Sequence, residues 1–334
     1  MPAVFKKFRA WQKDFLSRRP HRSFLLTRRR DYVRELKLPG YFSFTHTVNK
    51  TMWSYRKTFL LLAALYLVIY AVLVGLGSQE TYSTLTGTLQ EAAGSIGQGD
   101  ISQIGQAGLI FLTIASVGIS DTPTEAQQIY TVLIALLVWL TTVWLLRNKL
   151  AGHKVTLRDG LYNAGAPIVP MFLVSLALVI QLVPVLLAAV AYGAASASGL
   201  LNGGVEAMLF WIGASLLALL SLFWVTSTLF GLIIVTIPGM YPLKALRTAG
   251  DLVLGRRVRI LLRWLWMILA IAFFWAVILI PLILLDLWLK SIWPALGGFP
   301  FIPIVIASLS TSSVIWGSGY VYLLYRKVVD EHSK

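Results

Sequence analysis

The chain has 334 residues, of which 57% are hydrophobic and only 13% charged, and its mean hydropathy is +0.74. Soluble domains carry about 25% charged residues, so this composition specifies an integral membrane protein. It contains no cysteine, which excludes disulfides, thiolate metal sites and cysteine nucleophiles, and its net charge of +15 must be read by side of the membrane rather than as a nucleic-acid footprint.

Residues 1–40 form a basic arm. Val4, Phe8, Trp11 and Phe15 recur at helical spacing among Lys6, Lys7, Arg9 and Lys13, the pattern of an amphipathic helix lying on an anionic leaflet. Arg28, Arg29 and Arg30 continue the charge until Pro39-Gly40 breaks it. The first long apolar run, 58–77, starts beyond the window of a cleavable signal peptide, so the N-terminus is expected to stay on the protein and this run to be the first span.

From Ser78 to Leu146 there is no Lys or Arg, only Glu80, Glu91, Asp100, Asp121 and Glu125. This stretch is expected outside. Its apolar piece 107–120 rises about 21 Å as a helix, short of a hydrocarbon core of about 30 Å, and reads as interfacial or re-entrant. Thr122, Pro123 and Glu125 then read as N-cap, first turn and capping-box acid of the second span, 129–146. Further spans are expected at 171–192, 208–237, 260–285 and 303–325, with 328–334 as a tail. Trp288, Trp293, Pro294 and Pro300 mark an aromatic interfacial link. The fold class is therefore all-α, a polytopic membrane domain of six helices over 41–327.

Of the 29 Lys and Arg residues, fifteen precede Thr58. Arg147, Lys149, Lys154 and Arg158 follow the second span, six surround the start of the fifth, and Arg326, Lys327 and Lys334 close the chain; only Lys290 stands elsewhere. The positive-inside rule then puts both termini in the cytoplasm, and the expected location is a bacterial inner membrane.

Three units share one plan, a polar-apolar run followed by a basic cluster and a span. Placing Thr47, Gly160 and Ala245 in register aligns Val48 with Leu161 and Leu246, and Thr51 with Ala164 and Ala249. Pro184 and Pro281 occupy similar places in the third and fifth spans. All three units start inside and head outward, so they are expected to be parallel pseudo-repeats.

The run Pro242-Leu243-Lys244-Ala245-Leu246-Arg247, followed by Gly255-Arg256-Arg257 and a long span, resembles the membrane domain attached to some glycerophosphoryl diester phosphodiesterases and the related YciC-like bacterial inner-membrane proteins. The resemblance covers roughly residues 41–327. In those phosphodiesterases the chemistry belongs to a separate soluble barrel, for which this chain has no segment. It therefore implies a membrane module and carries over no catalytic residue.

His21, His46, His153 and His332 lie far apart and at no ligand spacing, so no metal or cofactor site is expected. Asp159 and Asp251, beside Arg158 and Arg256, read as ion-pair partners rather than a carboxylate dyad. Hydroxyls in the fourth span (Ser215, Ser221, Thr226, Ser227, Thr228) and the sixth (Ser308, Ser310, Thr311, Ser312, Ser313) read as helix-to-helix bonding groups, or else as a polar path. No Asp, Glu or His lies deep in a span to relay protons. The reading that follows is noncatalytic: a cationic cytoplasmic face engaging anionic lipid headgroups or an acidic partner protein, with a permease for a small solute or lipid as the alternative and a lipid-modifying enzyme third. The candidate headgroup residues are Lys244, Arg247, Arg256, Arg257 and Arg259, with Lys154, Arg158, Arg56 and Lys57 at comparable places in the other two units.

Overall fold

The structure, a computed structural model, describes residues 38–75, 124–199, 201, 203–293 and 299–332. Residues 1–37 of the arm, the 107–120 segment, Thr122, Pro123 and His21 lie outside the described residues. All described elements are helices: α1 (Tyr41–Ser54), α2 (Arg56–Leu73), α3 (Glu125–Leu150), α4 (Leu157–Ala164), α5 (Ile168–Ala197), α6 (Gly204–Ile234), α7 (Pro242–Val253), α8 (Arg257–Ile292) and α9 (Phe301–His332). Six of them, α2, α3, α5, α6, α8 and α9, are long and apolar enough to cross a membrane. The expected tail at 328–334 is not separate, since α9 runs on to His332.

The nine helices among the described residues fall into three triads, each a short helix, a leading span and a trailing span: α1-α2-α3, α4-α5-α6 and α7-α8-α9. Their contacts close into a cycle. Within each triad the two spans pack as an antiparallel pair, and each trailing span also touches the leading span of the next triad: α3 with α5, α6 with α8, and α9 back to α2. Each short helix packs on the trailing span of the triad before it, α4 on α3, α7 on α6 and α1 on α9. The short helix also reaches the preceding leading span. In the first triad this contact is carried by Trp266 Nε1 of α8, which donates to Thr45 Oγ1 of α1 at 3.0 Å.

The trailing spans lie inside this arrangement. In their most apolar stretches α3, α6 and α9 bury 50%, 44% and 50% of their residues within the protein, against 17%, 6% and 6% for α2, α5 and α8. Leading spans thus turn most of their surface outward, and their exposed Leu, Ile, Val and Phe side chains suit a hydrocarbon surround. One junction departs from simple alternation. Arg257 reaches Phe223 and Trp264 meets Phe230 edge-on, so at this junction seven residues along α8 match seven in the same direction along α6.

Close packing of short helices explains several small residues. A Cβ on Gly160 of α4 would stand 2.9 Å from Cγ and Cδ2 of Leu145 on α3. One on Gly231 of α6 would meet Leu246 of α7 at 3.3 Å, and one on Gly319 of α9 would meet Met52 of α1 at 3.0 Å. All three clasps therefore use a glycine, placed on the short helix in one case and on the span in the other two. This corrects the expected register. Gly160 and Ala245 are buried as an aligned pair, as are Ala164 and Ala249, but Thr47 is exposed and Val48 and Phe44 make the inward face of α1. The first unit is out of step because its bulk sits on the short helix, with the small partner, Gly319, opposite.

The start of α3 also differs from expectation. Thr124 is the N-cap, and its hydroxyl accepts from Gln127 N while the Gln127 side chain accepts from Thr124 N. Two capping-box frames overlap in Thr122-Pro123-Thr124-Glu125-Ala126-Gln127, and the second has an advantage that a carboxylate lacks. Gln127 Nε2 also donates to Val74 O at 2.8 Å, capping the end of α2. Pro184 and Pro281 both lie inside helices that continue through them.

Candidate functional site

The α1–α2 link, the end of α3 and the α6–α7 link meet at one end of the helix array. Tyr55 Oη, between α1 and α2, donates to Lys149 O at the end of α3 at 3.3 Å. From the same turn of α3, the Arg147 guanidinium donates to Thr236 O at 3.0 Å and to Thr236 Oγ1, fastening the link between α6 and α7. On the far side Arg263 of α8 is buried, donates to the carbonyls of Pro39 and Gly40, and lies over Tyr41 with its guanidinium carbon 4.3 Å from the ring centroid. The basic segments that are separate in sequence are thereby gathered on a single face.

Seven of the nine candidate residues are exposed: Arg56, Lys57, Lys154, Arg158, Lys244, Arg247 and Arg259. Lys154 and Arg158 flank the start of α4, and Lys244 and Arg247 lie on the outward side of α7, whose inner side is Ala245, Ala249, Leu252 and Val253. Arg56 stacks on Trp53 at 5.2 Å. The other two face the protein. Arg256 is buried, and Arg257 is half-buried, donating to Phe223 O with its guanidinium carbon 3.7 Å from that ring. Arg256 is enclosed by the protein and Arg257 is seated on α6, so neither lies at the surface as the other seven do. A run of arginines at the foot of a span does not disclose which of them turn inward; for Arg257 it is Phe223, 34 residues earlier on α6, that decides it.

Asp159 does not depend on Arg158 as expected. It is the acid of a capping box, accepting from Thr156 Oγ1 at 2.7 Å and from Thr156 N at 2.8 Å. Those bonds hold its carboxyl below the ordinary carboxylate range, with Arg158 a lesser influence.

Several span hydroxyls are committed to helix bonding, whereas Ser221 Oγ is buried without a partner among the described residues. Thr142, Thr226 and Thr311 donate to the carbonyls of Val138, Leu222 and Ala307 on their own helices. A side-chain hydrogen bond crosses each span pair within the spans: Tyr66 Oη with Thr141 Oγ1 at 3.1 Å, Thr228 Oγ1 to Gln181 Oε1 at 2.6 Å, and Trp275 Nε1 to Ser313 Oγ at 2.8 Å. Among the described residues no cluster of three or more His, Cys, Asp or Glu forms a metal-binding group; His46 and His153 are exposed and apart.

Beside Arg147 lies a feature that the sequence did not disclose, a cleft of about 390 Å³ between α3, the α4–α5 link and the α6–α7 link. Its walls include Leu140, Trp144, Arg147, Asn163, Pro167 and Thr236. In sequence Arg147 is one more cation at the end of a span. What marks it out is that Thr236, 89 residues later, comes within hydrogen-bond reach.

Fold and face together define a multi-pass, all-α membrane protein with a basic end. Compared with known proteins, the chain matches no family model, no curated protein and no solved structure.

Proposed function

We propose that this is a noncatalytic protein of a bacterial inner membrane, with both termini in the cytoplasm, whose basic face engages anionic lipid headgroups and so helps to organise the bilayer around it. The observation that carries this reading is the gathering of Lys154, Arg158, Lys244 and Arg247, exposed at the start of α4 and on α7, at the same end as Arg56 and Lys57. Cations at an anionic leaflet each contribute about 1 kcal/mol, so a set of this size holds a charged surface well. The orientation rests on the same asymmetry, since nearly all Lys and Arg fall at one side of the spans. The likeness to phosphodiesterase membrane domains belongs to this reading, as a membrane module without the barrel that does the chemistry. An acidic protein partner would use the same cations, and is the outcome to expect if lipid binding fails while the face proves functional. The permease reading is weaker because Thr226, Ser227, Thr228, Thr311 and Ser313, half of the hydroxyls it would use for a path, are bonded along their own helices or across a span pair, although Ser221 Oγ is buried without a partner among the described residues.

The test replaces Lys154, Arg158, Lys244 and Arg247 with Gln, leaving Arg256, Arg257 and Arg263 to support the fold and the remaining cations to set orientation. Purified variant and parent are titrated with phosphatidylglycerol at moderate salt. Binding should weaken at least tenfold, with a shallower salt dependence. Equal binding would mean that the charges serve only insertion.

A further inference from the structure

We infer that the cleft beside Arg147 is a specific seat for one phosphate-bearing anion, and that the anion is the headgroup of a phospholipid. The inference rests on the proposed orientation and deepens it from a diffuse charged face to a built site. Arg147 uses two donors on Thr236 and also bonds the Tyr322 hydroxyl, and the planar guanidinium has five donors. The remaining donors belong to a group that lines a cavity of about 390 Å³, large enough for a glycerophosphodiester. Asn163 gives one amide hydrogen to Asp159 O at 2.7 Å, keeping its side chain fixed at the rim with a second hydrogen and an oxygen remaining.

The rest of the lining selects for an amphiphile. Leu140, Trp144, Pro167 and Pro170 are apolar, and the prolines add rigidity without an N–H. A free phosphate compound would meet mostly hydrocarbon there, whereas a phospholipid sets its charge on Arg147 and its glycerol and first methylenes against Trp144 and the prolines. Approach is electrostatically favoured, because Lys149, Lys154 and Arg158 follow Arg147 along the chain and the one acid among them, Asp159, is spent on its cap.

The cleft also joins two triads. One wall is the end of α3 and the start of the second triad, and the other is the α6–α7 turn, so an occupant would bridge the same junction that Arg147 and Thr236 fasten.

Two variants test it. Ala166→Trp fills the mouth from an exposed position on the α4–α5 link without touching Arg147, and Arg147→Gln removes the charge. Native mass spectrometry of the full-length protein, titrated with short-chain phosphatidylglycerol, should show one lipid bound well above the statistical background in the parent. That occupancy should fall at least tenfold in both variants, while a phosphatidylcholine of the same length binds no better to parent than to variant. Glycerol 3-phosphate and inorganic phosphate, added at millimolar concentration, should not displace the lipid. Displacement by either assigns the site to a free phosphate compound and overturns the lipid assignment. Retention of the single tight lipid by folded Ala166→Trp overturns the site itself. The surface variant at Lys154, Arg158, Lys244 and Arg247 separates the two levels: if it weakens bulk lipid binding while the cleft variants do not, the charged face stands and the seat falls, and if none of the three weakens binding, both fall.

Discussion

The clasp between α4 and α3 makes a prediction whose sign is set by geometry. Gly160 lies inside a helix, where alanine is intrinsically favoured over glycine by about 1 kcal/mol. On propensity alone Gly160→Ala should stabilise. A methyl there would stand 2.9 Å from Leu145 Cγ as well as Cδ2, and Leu145 is fully buried, so rotating the end of its side chain does not relieve the contact. Overpacking of this kind costs about 1–3 kcal/mol, and a clash with a branch point belongs in the upper part of that range. The net expectation is a loss of about 1–2 kcal/mol. Gly250 of α7 is the control. It too is inside a short helix, but nothing lies within 4 Å of its would-be Cβ, so Gly250→Ala should gain up to about 1 kcal/mol. Thermal unfolding in one detergent, followed by helical circular dichroism, should shift a few degrees downward for the first and upward for the second. In a Leu145→Ala background the Gly160 substitution should turn favourable, which a double-mutant cycle detects. If Gly160→Ala is as stable as Gly250→Ala, the close packing of α4 on α3 is wrong.

Other consequences concern topology, pH and connectivity. Because the chain lacks cysteine, single cysteines at Ser95 and Ser198 should react with an impermeant thiol reagent in intact cells and one at Ser23 should not; labelling at Ser23 would reverse the orientation. Asp159 has a depressed pKa, so its contribution to stability is present above the ordinary carboxylate value and is lost as pH falls through the lower value of the folded state. The parent should therefore lose more thermal stability than Asp159→Asn between pH 5 and pH 2, and parallel curves would deny the capping role. A circular permutant that begins at Lys154, joins residue 334 to residue 1 and ends at His153 keeps every contact of the cycle, since α1 already packs on α9. It should insert and retain the parent's helicity, and failure to do so in membranes that accept the parent would count against three interchangeable triads.

Hydropathy made the six spans legible because each must satisfy its backbone within about 20 apolar residues, a constraint that every span meets separately. Their ends were less legible. The fifth, read as 260–285, extends over Arg257–Ile292 because polar and charged ends prolong a helix past the apolar stretch that announces it. The three-unit plan was visible as short polar-apolar runs, but not the cycle, which depends on where glycines meet side chains of distant helices. Gly319 against Met52 joins positions 267 residues apart, and no periodicity encodes that. The site was legible as charge and illegible as direction. Lys244, Arg247, Arg256 and Arg257 look alike in sequence, yet the first two lie on the outer side of α7 while Arg256 is buried and Arg257 is bonded to Phe223 O.

The most direct measurement is the lipid that the protein keeps. Extracted gently from its own membrane and purified, it should carry phosphatidylglycerol and cardiolipin at several times their share of the bulk lipid, quantified by mass spectrometry of the purified protein and of the starting membrane. Retained lipid with the same composition as the bulk would contradict the claim that the basic face engages anionic headgroups.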